Sequence, residues 1–133
     1  MPSALFELGM KLRRKVLGDA HVDRSWAAAK DDPLTGPLQE IITELGWGAV
    51  WGRPGLELKT RSIINLAMLT ALNRPHELEV HVRGALRNGV TVDEIREILI
   101  QTGCYCGWPA AIDAFRVAKK VIAEENATAH TTS

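Results

Sequence analysis

Arg74, Glu77 and His81 lie within roughly 60° of one another if their segment is helical, so one face can present a guanidinium, a carboxylate and an imidazole. Glu77 and His81 stand at i and i+4, where a carboxylate can accept a hydrogen bond from the imidazole, fix its tautomer and raise its pKa. An imidazole held in this way can act as a general acid. His81 also borders an apolar stripe of Leu78, Val82 and Ala85, which would shield it partly from water. The same spacing equally serves a surface pair, and a histidine beside an apolar face equally serves as a satisfied core residue.

A second group runs from Trp47 to Gly55, WGAVWGRPG, and reads as a loop: its glycines permit unusual backbone angles and its two indoles offer rigid apolar walls. Arg53 could clamp a carboxylate there. Arg61 is a second guanidinium, at the start of an apolar segment where an unpaired charge is costly. Its partner is either a substrate carboxylate or a protein carboxylate such as Glu40 or Glu44. Trp47 and Trp51, at i and i+4, also fit the role of core or interface anchors.

Cys104 and Cys106, two apart on a helix, point about 200° away from each other and cannot bridge while the helix is intact. Cys106 reads as a small buried hydrophobe on an apolar stripe, and Cys104 faces elsewhere. Tyr105 either donates a hydrogen bond into a pocket near Gly107 or packs its ring with a satisfied hydroxyl. Cys-x-Cys without a second Cys or His pair does not make a zinc site, so no metal is expected. The chain contains no glycine-rich phosphate loop, HExxH or GxSxG.

The elements that must position these groups are all helical. Thr91 and Glu94 form a capping box that opens a helix with Ile95, Ile98, Leu99, Thr102 and Cys106 on one face, ending near Gly107. The helix before it starts at Pro75, carries Leu78, Val82, Ala85 and Leu86, and stops at Asn88-Gly89. The run TRSIINLAMLTAL, residues 60–72, is apolar on nearly every side and predicts a central helix buried all round. Pro109 opens a further helix with Ala111, Ile112, Phe115, Ala118 and Ile122. Leu38, Ile41, Ile42 and Leu45 mark a short amphipathic helix, residues 3–17 an N-terminal one, and Asp23 is a candidate cap for another through Trp26 and Ala29. Strand alternation is rare, so the fold is expected to be an all-α bundle of about six or seven helices.

The 133 residues, 46% hydrophobic and 24% charged, suit one soluble domain. No internal boundary is visible: residues 1–125 read as one domain and 126–133 as a flexible C-terminal tail. Sixteen basic and sixteen acidic residues leave no net charge, and with it no field for nucleic acid or an anionic membrane. The first residues contain neither a signal-peptide core nor a membrane span, which predicts a cytoplasmic protein. So apolar a helix in so short a chain predicts a homo-oligomer whose neighbouring subunits cover it.

Four segments together carry a resemblance: RKVLGDAHVDRS (14–25), WGAVWGRPGL (47–56), KTRSIINLAMLTALNRPHELEVHVRGALRNGVTVDEIREIL (59–99) and YCGWPAA (105–111). Over about residues 5–123 the chain resembles the 4-carboxymuconolactone decarboxylase family. The wider superfamily, which includes the alkylhydroperoxidase AhpD-like proteins, is all-helical and oligomeric, which implies a trimer or hexamer here. Its redox branch carries Cys-x-x-Cys-x-x-x-His on a helix. With that histidine placed on His81, Arg74 and Glu77 occupy the cysteine positions and the dithiol is lost.

The resemblance implies loss of CO2 from a γ-lactone bearing a ring carboxylate and an acetate arm, giving 3-oxoadipate enol-lactone in protocatechuate breakdown through the β-ketoadipate pathway. No cofactor is needed, because the ring alkene and lactone carbonyl take up the electrons. On this reading Arg53 and Arg61 bind carboxylates, Arg74 assists or faces the oxyanion, and His81, held by Glu77, donates the proton. Trp47, Trp51 and Tyr105 wall the pocket, and Glu40 adjoins it as the alternative partner of Arg61. Two other readings remain open: a thiol-dependent peroxidase or reductase, which needs cysteines that cycle, and a non-enzymatic helical oligomer that binds a carboxylated ligand.

Overall fold

The computed structural model describes residues 3–132, with side chains to residue 128. Seven α-helices and one π-helix make up its regular structure, and among the described residues there is no strand. The expected all-α class is observed. The chain divides into two compact units, Met1–Leu58 and Lys59–Ser133. No helix among the described residues is long and apolar enough to cross a membrane.

In the first unit, α1 (Ala4–Leu17) begins at Ser3, whose hydroxyl accepts from the Phe6 amide at 3.0 Å and so satisfies one of the orphan donors of a helix start. Gly18, at φ +89°, breaks α1 from α2 (Asp19–Ala29). Asp23 therefore lies inside α2 and is not a cap; its carboxylate takes Arg14 of α1 at 2.8 Å. A short α3 (Gly36–Ile41) runs directly into the π-helix Ile42–Val50, so half of the expected loop at 47–55 is helical.

The π-helix packs on α1 at backbone distance, and Val16, Trp47 and Trp51 form the buried cluster between them, flanked by Leu12, Leu17 and Leu58. The apolar residues expected to make an amphipathic contact, Leu38, Ile41, Ile42 and Leu45, face outward; Leu38 and Ile41 are each 54% exposed. The buried positions here are Gly36, Thr43, Trp47 and Gly48: the glycines sit where backbones approach closely, and Trp47 fills the apolar cluster beside them.

The second unit holds nearly all of α4 (Leu58–Ala71), together with α5 (Pro75–Arg87), α6 (Val92–Cys106) and α7 (Trp108–Thr132). Pro75 is the first residue of α5, Gly89 at φ +89° ends the turn after it, and the Thr91/Glu94 capping box is present with both of its hydrogen bonds. The core joins Leu66, Leu78, Val82, Ala85, Val90, Ile95, Leu99, Ala114, Ala118 and Val121. Each large side chain buried there contributes about 1.5–3 kcal/mol. Gly103 lets α6 approach α7, since a Cβ there would stand 2.6 Å from the Trp108 ring.

One expectation about this unit needs correction, the burial of Cys106. In helix α4, Ser62, Leu66 and Thr70, one per turn, face the core, while Ile64, Met68 and Leu72, on the side a neighbouring subunit was expected to cover, are exposed in the single chain. Cys106 is exposed, as is Cys104, because α6 presents its last turn to solvent; both thiols are free. Helix α7 runs to Thr132, with Ser133 outside the described residues.

Candidate active site

Helices α4 and α5 bring the chemistry-bearing residues of the second unit together. They are joined by two polar links. Asn88, at the end of α5, donates from Nδ2 to the buried Ser62 hydroxyl of α4 at 2.8 Å. Near the other end of α5's apolar stripe, Asn65 Nδ2 of α4 meets His81 Nδ1 at 3.4 Å. Both side chains of this second link are half-buried.

This contact with Asn65 was not named in the sequence reading, which paired His81 with Glu77. Glu77, four residues earlier on α5, is exposed, and its carboxylate takes no part in the Asn65–His81 contact. Asn65 was not singled out in the sequence, although an amide inside the apolar run SIINLAML was a signal: a polar side chain in such a run requires a partner. Arg61 lies one turn before Asn65 and therefore shares its side of α4; it is half-buried. Arg74 is exposed at the N-cap of α5, and its Nη1 donates to the Leu72 carbonyl at 3.2 Å.

Tyr105 is 84% exposed, so its ring is not packed. With Ile63, Met68, Ile98 and Cys106 it lines an open apolar groove of about 460 Å³ between α4 and α6. A larger groove of about 760 Å³ runs between α6 and α7 over Val92, Leu99, Ile112, Phe115 and Ile122.

In the first unit Trp47 and Trp51 stack with ring centroids 4.8 Å apart and are 6% and 9% exposed, placing them in that unit's core. Arg53 follows them in the exposed turn, where its amide donates to the Val50 carbonyl at 3.1 Å. Glu40 is exposed on α3. Among the described residues there is no cluster of three or more potential metal ligands.

Helices α4 and α5 thus hold a half-buried histidine between them, with Arg61 on the same side of α4 as its partner Asn65. Residues 36–120 match the model of the carboxymuconolactone decarboxylase family. Nitrosuccinic acid decarboxylase of Metarhizium robertsii is 45% identical over 118 residues, covering 89% of this chain and 81% of that sequence. The 4-carboxymuconolactone decarboxylase of Acinetobacter baylyi is 40% identical over 116 residues, covering 87% and 85%. The chain belongs to the carboxymuconolactone decarboxylase family, and it is a carboxy-lyase.

Proposed function

We propose that the protein removes CO2 from 4-carboxymuconolactone to give 3-oxoadipate enol-lactone, as a cytoplasmic, cofactor-independent enzyme of aromatic catabolism. The observation that carries the site assignment is the half-buried His81 imidazole, bonded across to Asn65 with Arg61 one turn away on α4. When the ring carboxylate departs, its bonding electrons flow through the alkene into the lactone carbonyl, and the resulting dienolate is protonated at the α carbon. The protein needs a cation for a substrate carboxylate and an N–H where charge develops. Arg61 supplies the first and His81 the second. Arg74 is a further guanidinium for the carboxylates, Tyr105 offers apolar surface, and Glu77 adds negative charge on α5.

The similarity to a nitrosuccinic acid decarboxylase favours a second reading with the same logic. Nitrosuccinic acid and 4-carboxymuconolactone are both succinates substituted at one carbon with an electron-accepting group. Loss of the carboxylate from that carbon leaves a nitronate in one case and a dienolate in the other, each with an acetate arm left to hold. Supplying both substrates to the purified protein and following CO2 release decides between them. Turnover of the lactone at a much higher kcat/KM supports the first reading; preference for the nitro compound replaces it with the second.

We further propose a homo-oligomer, a trimer or hexamer. Its support is the apolar surface left open on the second unit, at Ile64, Met68 and Leu72 of α4 and along the groove between α6 and α7. Sedimentation equilibrium checks it, and a monomer at micromolar concentration would remove the proposal.

A further inference from the structure

We propose that the apolar groove between α6 and α7 receives the ridge formed by α3 and the π-helix of a second copy of the chain, so that the copies join head to tail into a ring. The inference rests on the homo-oligomer proposed above and names the two surfaces that build it.

The ridge is made of residues that the first unit leaves outside. Leu38, Ile41, Ile42 and Leu45 stand at i, i+3, i+4 and i+7, the spacing with which a helix lays one face into a groove. All four are exposed, while α3 and the π-helix bury Gly36, Thr43, Trp47 and Gly48. Four large apolar side chains in one exposed row make the kind of patch that marks an interaction site.

The groove is the counterpart of this ridge in shape. It has a volume of about 760 Å³ and is lined by the core residues Ile95 and Leu99 together with the exposed Val92, Ile112 and Phe115. Two packed helices leave a furrow of this form, into which a third helix can set its side chains.

The charges match as well. Arg96, Arg116 and Lys119 line the groove, and among the described residues lining it there is no carboxylate. Arg96 and Arg116 are held by acids of their own helices, Arg96 by Asp93 and Glu97 and Arg116 by Asp113. Lys119 lies one turn along α7 from Phe115. Residues 38–50 contain Glu40 and Glu44 and no cation. Carboxylates beside the apolar row of one copy therefore meet cations along the groove of the next, whereas two ridges or two grooves set face to face would bring like charges together.

Such a pairing is heterologous, one surface meeting a different one, and a heterologous contact that closes makes a ring. Each copy offers one ridge and one groove, so a closed ring covers both surfaces on every copy. A trimer requires a contact of this kind, because an isologous pairing alone stops at a dimer.

The test uses the full chain, in sedimentation equilibrium and native mass spectrometry. Ile41→Glu spoils the ridge and leaves the groove; Phe115→Glu spoils the groove and leaves the ridge. Each variant alone should fall to a smaller species than the parent, with the dissociation constant of the ring raised by about 30-fold or more, the effect of losing one central anchor. An equimolar mixture of the two should regain a larger complex that holds both variants in equal number, because one intact ridge still meets one intact groove. Circular dichroism establishes that each variant is folded, and Leu38→Glu with Ile112→Glu is the second pair where one of the first is not. A folded variant that keeps the size of the parent, or a mixture that gains nothing over its components, overturns the proposal and leaves the homo-oligomer standing on other surfaces. A monomeric parent overturns the homo-oligomer and this interface together.

Discussion

Gly9 of α1 lies directly against Thr43 of the π-helix: a Cβ built on Gly9 would stand 1.9 Å from the Thr43 carbonyl oxygen and 2.9 Å from the Gly48 amide nitrogen. The two backbones meet where most helix pairs are held apart by side chains, at interaxial distances of about 8–10 Å. Gly48 repeats the arrangement, with a Cβ placed 2.3 Å from the Leu5 carbonyl. This contact, together with the stacked Trp47–Trp51 pair beside it, fixes how α1 seats on the π-helix.

Gly9→Ala should therefore be among the most damaging single-methyl changes in the chain. The atoms it meets are backbone and cannot swing aside, so the helices must separate and the Val16–Trp47–Trp51 cluster loosens. A loss of about 2–4 kcal/mol is expected, at the upper end of overpacking costs. Urea unfolding followed by tryptophan fluorescence measures it. Gly55→Ala, where a Cβ meets nothing within 4 Å, is the control and should change stability by less than about 0.5 kcal/mol.

The second unit was the more legible in sequence, and the reason is physical. Helices α5 and α6 are delimited by local chemistry, a proline at the first position, a glycine at positive φ and a capping box, and such signals act within a few residues. What escaped was set by tertiary approach. The π-helix at Ile42–Val50 and its outward apolar residues depend on the glycine contacts with α1, which no short window of sequence contains. The exposure of Ile64 and Met68 reflects how much of α4 its own unit covers. At the site, i,i+4 spacing could point only to a neighbour on the same helix, Glu77, whereas the contact from Asn65 comes from another helix, 16 positions away, and was not legible in a short window.

The capping box of α6 offers a clean local test. Thr91 Oγ1 accepts from the Glu94 amide at 3.1 Å, and the Glu94 carboxylate accepts from the Thr91 amide at 2.9 Å. Thr91→Ala removes one of these bonds at an exposed position, so the cost should be that of a lost cap, about 1 kcal/mol. Chemical denaturation should show a lower midpoint with an unchanged slope, since no additional surface is exposed.

Stability should also decline on the acid side. Glu79 of α5 is held below the ordinary glutamate range, first by the hydrogen bond from Lys120 of α7 at 3.2 Å and then by Arg83, which also pairs with Glu124. Glu94 is lowered by the Thr91 amide and Lys59, and Asp32 by the Thr35 hydroxyl. A carboxylate with a depressed folded pKa contributes stability that is present above its unfolded pKa and is lost as pH falls through the folded one. The loss should therefore begin as pH falls below about 5. Lys120→Met should lower the denaturation midpoint at pH 7 and leave it nearly unchanged once Glu79 is protonated, so the parent and variant curves converge in acid.

Arg61 and His81 should separate kinetically, because the proposed roles act at different points of the reaction. A guanidinium that holds a substrate carboxylate interacts with ground state and transition state alike, so Arg61→Ala should raise KM by about tenfold or more with a smaller change in kcat. Arg61→Lys should recover little of this, since an ammonium lacks the planar fork that matches a carboxylate. An N–H that meets charge only as it develops contributes nothing before the bond breaks. His81→Ala should therefore lower kcat by about 10²-fold or more while KM stays close to the parent value. If the two variants show the same pattern, with kcat and KM changed in equal measure, the division of labour between α4 and α5 is wrong and the two residues belong to a single binding role.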